Sequence, residues 1–294
     1  MTGRDDFSGG RAGISARTFA VPLIFMLVHH LVLNAFAILW LFIYLGRNPE
    51  AAILLTPLEL MAEANVMTYA SLLSMLVLIP AYLLYLQTRK KKGHPLLEQE
   101  HLSGGQVFHS VIMILGAMGL TQLLMVLLSS LDNSSFLGRL FQDYLDKMAL
   151  FDGRTEGFWL DFAATVILVP VAEELLMRGI IQGELARSFS PRVTVALTTF
   201  LFALFHLDLV QGLYVLIAGF VLSVTYHLTR NILIPIGLHI LFNLIGSGWL
   251  SRLIGAGEYG EGILVLLLYA CIIGGAGSFL VLRRTARRKK PAEA

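Results

Sequence analysis

The chain has 294 residues, 56% of them hydrophobic and 14% charged, with a mean hydropathy of +0.73 and a formal net charge of +2. A soluble domain carries about 25% charged residues, so a soluble globular protein is excluded and an all-α, polytopic membrane helix bundle is predicted. Cys271 is the sole cysteine, which excludes an intrachain disulfide and a cysteine-rich metal site.

Membrane spans need about 20 apolar residues, and about eight transmembrane segments follow one another along the chain. Residues 1–17 are polar and Gly-rich, without the small-residue cleavage site of a signal peptide. The first span, 19–45, carries His29, His30 and Asn34; the second, 65–86, is closed by the basic run Arg89 to Lys92. The third is 107–131. In the polar stretch 132–157, Phe136, Leu137, Leu140, Phe141, Tyr144, Leu145 and Met148 recur at helical spacing and predict an interfacial amphipathic helix. Spans four to eight are 158–185, 193–207, 211–228, 232–250 and 262–282, and a basic tail follows. The chain divides into 1–157 (three spans and an outer loop), 158–250 (the chemically distinctive core) and 251–294 (the last span and tail).

An even number of spans puts both termini on one side. With that side cytoplasmic, the inner segments hold Arg4, Arg11, Arg17, residues 89–92, Arg187, Arg192, Arg230 and the tail, leaving Arg47, Arg139, Lys147, Arg154 and Arg252 outside. This bias follows the positive-inside rule. The basic tail reads as a topology and headgroup anchor, so the expected surroundings are a lipid bilayer, with no nucleic acid as partner.

Three intramembrane groups carry the chemistry. An ionised residue at the bilayer centre costs roughly 2.5–3.5 kcal/mol and usually has a function, yet Glu173, Glu174 and Arg178 lie together in span four. Glu174 and Arg178 are four apart and pair on one face, whereas Glu173 sits about 100° round the helix. Phe202 precedes His206 by four in span five, and His239 precedes Asn243 by four in span seven. At about 1.5 Å per residue, Glu173 lies roughly 20 Å from the inner surface, His206 about 14–20 Å and His239 with Asn243 about 10–17 Å. A shared hydrated cavity is expected, since buried polar groups must find partners. Gly212, Gly219, Gly237 and Gly246 are expected to permit close helix approach, and Pro235 to leave a backbone carbonyl facing the cavity.

Such a group suits water activation: Glu173 with His206 takes a proton from water, and His239 and Asn243 donate to the oxyanion. The same residues suggest a second arrangement, a divalent metal such as zinc held by Glu173, His206 and His239 with water in the open position. The His-Glu-x-x-His zinc motif is absent. Blander roles are expected elsewhere: His29 and His30 interhelical or interfacial, His109 and His227 solvated, Phe205 and Cys271 packing, Asp208 a helix cap.

These residues resemble the CPBP (CAAX-processing and bacteriocin-processing) family of intramembrane proteases, also called Abi, which includes the eukaryotic CAAX-prenyl endopeptidase. Its Glu-Glu-x-x-x-Arg motif is matched by Glu173, Glu174 and Arg178, its Phe-x-x-x-His by Phe202 and His206, and its His-x-x-x-Asn by His239 and Asn243. The resemblance spans residues 158–250. It implies a membrane-embedded endopeptidase, glutamate- or metal-dependent, in which the first glutamate and first histidine activate water and the last motif stabilises the oxyanion. Glu174, Arg178 and Phe202 then support. The implied substrate is a membrane-associated peptide or protein, with lipidation left open. The implied location is the plasma membrane in a prokaryote or the endoplasmic reticulum in a eukaryote. The alternative is a non-catalytic membrane partner or bacteriocin-immunity protein on the same fold. A transporter is disfavoured because no inverted repeat is visible.

Overall fold

A computed structural model describes residues 13–151 and 158–289. Arg4, Arg11, Arg154 and Lys290, which belong to the charge bias, lie outside the described residues. The main helices are α1 (Ala16–Arg47), α2 (Val66–Lys91), α3 (Gly104–Ser129), α4 (Phe136–Phe151), α5 (158–186), α6 (Pro191–Phe205), α7 (Leu209–Thr229), α8 (Leu233–Gly246) and α9 (Glu258–Lys289). Among the described residues the only β pairing is an isolated bridge between Gln99 and Asn231. Five helices, α1, α2, α3, α7 and α9, are long and apolar enough to cross a membrane, and α6 and α8 are shorter apolar helices. The chain is a polytopic helical bundle.

Local sequence sets the helix ends. Thr56 with Glu59 and Ser103 with Gln106 form capping boxes, in which side chains satisfy the amide groups that a helix start leaves unpaired. Pro191 begins α6, where a missing N–H costs nothing. Asp208 accepts from the Gln211 amide at 2.9 Å and caps α7, as expected of it. The seventh span is shorter than the sequence suggests. Its α-helix stops at Gly246, and Gly248 takes a left-handed φ of 74° before the short helix Trp249–Ile254. Helix α4 forms at the amphipathic stretch and buries Phe141 against Leu128 and Val210.

Helix α5 is the axis of the bundle. Its residues from Leu175 to Gln182 are all buried. It is not a uniform helix: π-helical segments Phe162–Leu168 and Leu175–Ile181 flank the α-helical turn Val169–Glu174. Helix α1 lies outside, with Leu23, Leu27, Leu31 and Phe42 exposed and His29 turned inward. Gly116 and Gly119 bring α3 against α9, since a Cβ on either would strike the carbonyls of Cys271 and Leu268. Gly237, by contrast, faces open space, so the close approach expected of it does not occur.

Two charged features depart from the simple topology reading. Arg89 is buried and paired with Glu184 at 3.1 Å, and Tyr85 donates to the same carboxylate at 3.0 Å, so Arg89 is not a free inner-face charge. Arg230 adopts a left-handed φ of 51° and pairs with Glu98 at 2.6 Å and Glu100 at 3.0 Å. Its hydrogen bonds with Glu98 hold the guanidinium pKa above its ordinary value. These contacts latch the linker before α3 onto the turn between α7 and α8. His109 is not simply solvated but bonds Ser278 across α3 and α9 at 3.1 Å.

Candidate active site

The site is built outward from Glu174. Glu174 and Arg178 have no solvent exposure, and Arg178 Nη1 donates to Glu174 Oε1 at 2.7 Å. Arg178 Nη2 donates to the Gly219 carbonyl at 3.1 Å, and its guanidinium carbon lies 4.6 Å from the centre of the Phe202 ring. A buried guanidinium is tolerable only when its charge and donors are met, and a carboxylate, a carbonyl and an aromatic face meet most of them here. The same Glu174 oxygen takes His239 Nδ1 at 2.8 Å. Glu174 therefore braces both a cation and an imidazole, which is more than the pairing read from spacing.

Glu173 is left free by that arrangement. It makes no hydrogen bond among the described residues and retains 8% exposure. His239 Nε2 lies 3.8 Å from Glu173 Oε2, beyond hydrogen-bond length. His239 thus stands between the two carboxylates.

The spacing of Phe202 and His206 has a backbone cause. At the end of α6 the His206 amide bonds Ala203 instead of Phe202, so the Phe202 carbonyl is released. His206 Nδ1 donates to it at 2.8 Å. A carbonyl only accepts, so Nδ1 carries a proton, and in the neutral ring Nε2 keeps its lone pair. The Phe202 ring packs edge-on against His206 at 5.0 Å and His239 at 5.8 Å. It can do so because position 219 lacks a side chain: a Cβ there would stand 2.8 Å from Phe202 Cδ1. His206 and Glu173 make no hydrogen bond or ion pair with each other among the described residues; Phe202 links their surroundings.

Asn243 shares the His239 helix, but Nδ2 reaches the Thr165 carbonyl at 2.9 Å. The cause lies in α5. In the π segment the Val169 amide goes to Ala164, and Pro170 has no amide. Thr165 therefore loses both helical donors, and Asn243 replaces them while keeping a second N–H. Pro170 releases the carbonyl that the sequence reading assigned to Pro235. Pro235 itself falls in the first turn of α8, where a proline breaks no helical bond.

Two residues of the surrounding spans join the site without a sequence motif. His30 packs on the Phe205 ring at 4.6 Å, interacts electrostatically with Glu173 and His206, and has a buried Nε2 without a hydrogen-bond partner among the described residues. Tyr82 bonds His29 at 2.9 Å and also interacts electrostatically with Glu173. The His29–His30 pair in an apolar span was the signal available; helix α1 rotates the second of them toward the site.

The residues named as metal candidates, Glu173, His206 and His239, do not form a ligand set. Among the described residues no three His, Cys, Asp or Glu side chains converge on one point. His206 and His239 each commit Nδ1, to the Phe202 carbonyl and to Glu174, and leave Nε2 outside those bonds.

Residues 155–245 match the family model described as type II CAAX prenyl endopeptidase Rce1-like. The matched stretch carries all three motifs, in keeping with a CPBP family intramembrane protease. No curated protein and no solved structure matches the chain. At the level of the family, the match supports an integral membrane endopeptidase acting on membrane-associated peptides in a lipid environment.

Proposed function

We propose that the protein hydrolyses a peptide bond of a membrane-associated peptide with water activated by Glu173. The stretch 158–250 is the catalytic core, and residues 1–157 and 251–294 frame it. The observation that carries this reading is the unequal treatment of neighbouring carboxylates. Glu174 is locked by Arg178 and His239, while among the described residues Glu173 has no hydrogen bond and retains 8% exposure.

In the proposed reaction, Glu173 takes a proton from water as the water oxygen attacks the scissile carbonyl carbon. His206 Nε2, an acceptor in the tautomer set by Phe202, orients the water through its second hydrogen. The carbonyl oxygen becomes an oxyanion and receives hydrogen bonds from His239 Nε2–H and the free N–H of Asn243. His239 keeps Nδ1 on the shared Glu174 oxygen while Nε2 serves the oxyanion. Collapse of the tetrahedral species breaks the C–N bond, and the proton held by Glu173 passes to the leaving amine. No step runs through a metal, because the candidate donors do not converge.

The test uses purified protein in proteoliposomes with a quenched lipopeptide. Glu173→Gln and His206→Ala should each lower turnover about 10²–10⁴-fold, the range for loss of general-base catalysis. Full activity in either variant overturns the assignment. The inner-facing termini are part of the same proposal, and protease protection of tagged termini checks them.

A further inference from the structure

Away from the carboxylate site, helices α6, α7 and α9 enclose a cavity of about 480 Å³ that shares no residue with it. Its rim carries Arg192 from the first turn of α6 and Arg283 and Arg287 from the end of α9; Phe220, Val224 and Phe279 form its wall. We propose that this cavity is a binding site for one anionic phospholipid.

The charges support that occupant first. Three other arginines at this end of the bundle are answered by carboxylates: Arg89 and Arg187 by Glu184, and Arg230 by Glu98 and Glu100. Among the described residues no carboxylate pairs with Arg192, Arg283 or Arg287, yet all three line one hollow. A guanidinium matches phosphate oxygens with two parallel donors, so three of them around one space complement a phosphodiester. The first-turn amides of α6 point the same way.

The shape supports it second. Phe220 lies nine residues before the end of α7, about 13 Å deeper than the rim at 1.5 Å per residue. Phe279 lies eight residues before Arg287 on α9, about 12 Å deeper by the same rise. Charge thus sits at the headgroup level and aromatic surface well inside the hydrocarbon, the polarity of a lipid standing in its own leaflet. Phe220 is exposed at 47%, so the hollow opens sideways to the bilayer. The proposed topology puts this end at the inner leaflet, where anionic lipid resides.

The experiment is native mass spectrometry of the full chain released from detergent with equal amounts of phosphatidylglycerol and phosphatidylcholine. One phosphatidylglycerol should be retained in preference by at least about tenfold. The triple variant Arg192→Gln, Arg283→Gln, Arg287→Gln should lose that preference. Lys90→Gln, Lys91→Gln, Lys92→Gln, which removes as many charges elsewhere at the same end, should keep it. Ala286→Trp, which fills the cavity and leaves the arginines intact, should lose retention. Equal retention of the two lipids, equal effects of the two triple variants, or unchanged retention in Ala286→Trp overturns the proposal. Displacement of the lipid by a farnesylated peptide also overturns it, since the hollow would then belong to a substrate.

Discussion

Replacing each of the adjacent glutamates by glutamine should separate chemistry from stability. Glu174 accepts two charge-assisted contacts on one oxygen, at 2.7 and 2.8 Å, with no solvent access. Removing its charge leaves the Arg178 guanidinium buried with only the Gly219 carbonyl and the Phe202 ring. Breaking a buried ion pair costs about 3–5 kcal/mol. A glutamine keeps one acceptor oxygen, so the lower end, about 3 kcal/mol, is expected for Glu174→Gln. That is more than a hundredfold in the folding equilibrium. Among the described residues Glu173 accepts no hydrogen bond, so Glu173→Gln should cost well under about 3 kcal/mol while lowering turnover about 10²–10⁴-fold. The assay is unfolding in mixed micelles with increasing SDS, followed by circular dichroism and paired with lipopeptide hydrolysis. A Glu174→Gln protein as stable as the parent, or a Glu173→Gln protein that unfolds early, would refute the division of roles.

Further outcomes follow from the same geometry. Gly219→Ala sets a Cβ 2.8 Å from Phe202 Cδ1 and should cost about 1–3 kcal/mol, measured by the same unfolding assay; a neutral result means Phe202 does not depend on that gap. Asn243→Leu leaves the Thr165 carbonyl without its donor and should cost about 1–3 kcal/mol in addition to any loss of turnover, seen by comparing stability with kcat. His30→Ala should lower kcat with little change in KM, because His30 interacts with Glu173 and His206 from α1; wild-type kinetics would remove it from the site. Incubation with a strong chelator, followed by its removal, should leave hydrolysis intact, since Glu173, His206 and His239 do not converge. Loss of activity restored by zinc would show the opposite.

Much of this was legible because charge in an apolar segment is conspicuous. Glu173, Glu174, Arg178, His206 and His239 all stood out against their spans, and helical spacing paired Glu174 with Arg178 correctly. What spacing did not convey was anything decided by backbone register. The Asn243–Thr165 bond follows from a π turn and Pro170 in another helix; the proline is visible in the sequence, but the π turn has no side-chain pattern. Gly219 appeared only as a small residue; its service to Phe202 and Arg178 depends on how α6 and α7 cross. His30 and Tyr82 needed the rotation of α1 and α2. Arg89 illustrates the converse: the basic run reads as inner-face charge, yet its first member turns inward to a glutamate more than ninety positions away.

The π segments of α5 also make the site sensitive to chain length in a way that composition is not. Each wide turn accommodates surplus backbone without ending the helix, as an insertion does. Excising a single residue between 162 and 168 would let that stretch relax to an ordinary helix with every motif still in the sequence. The carboxylates would keep their direction, whereas the same excision from an α-helical part of the chain before them would swing them by about 100° relative to everything upstream. A deletion scan through that stretch would thus read out a frame rather than a set of side chains.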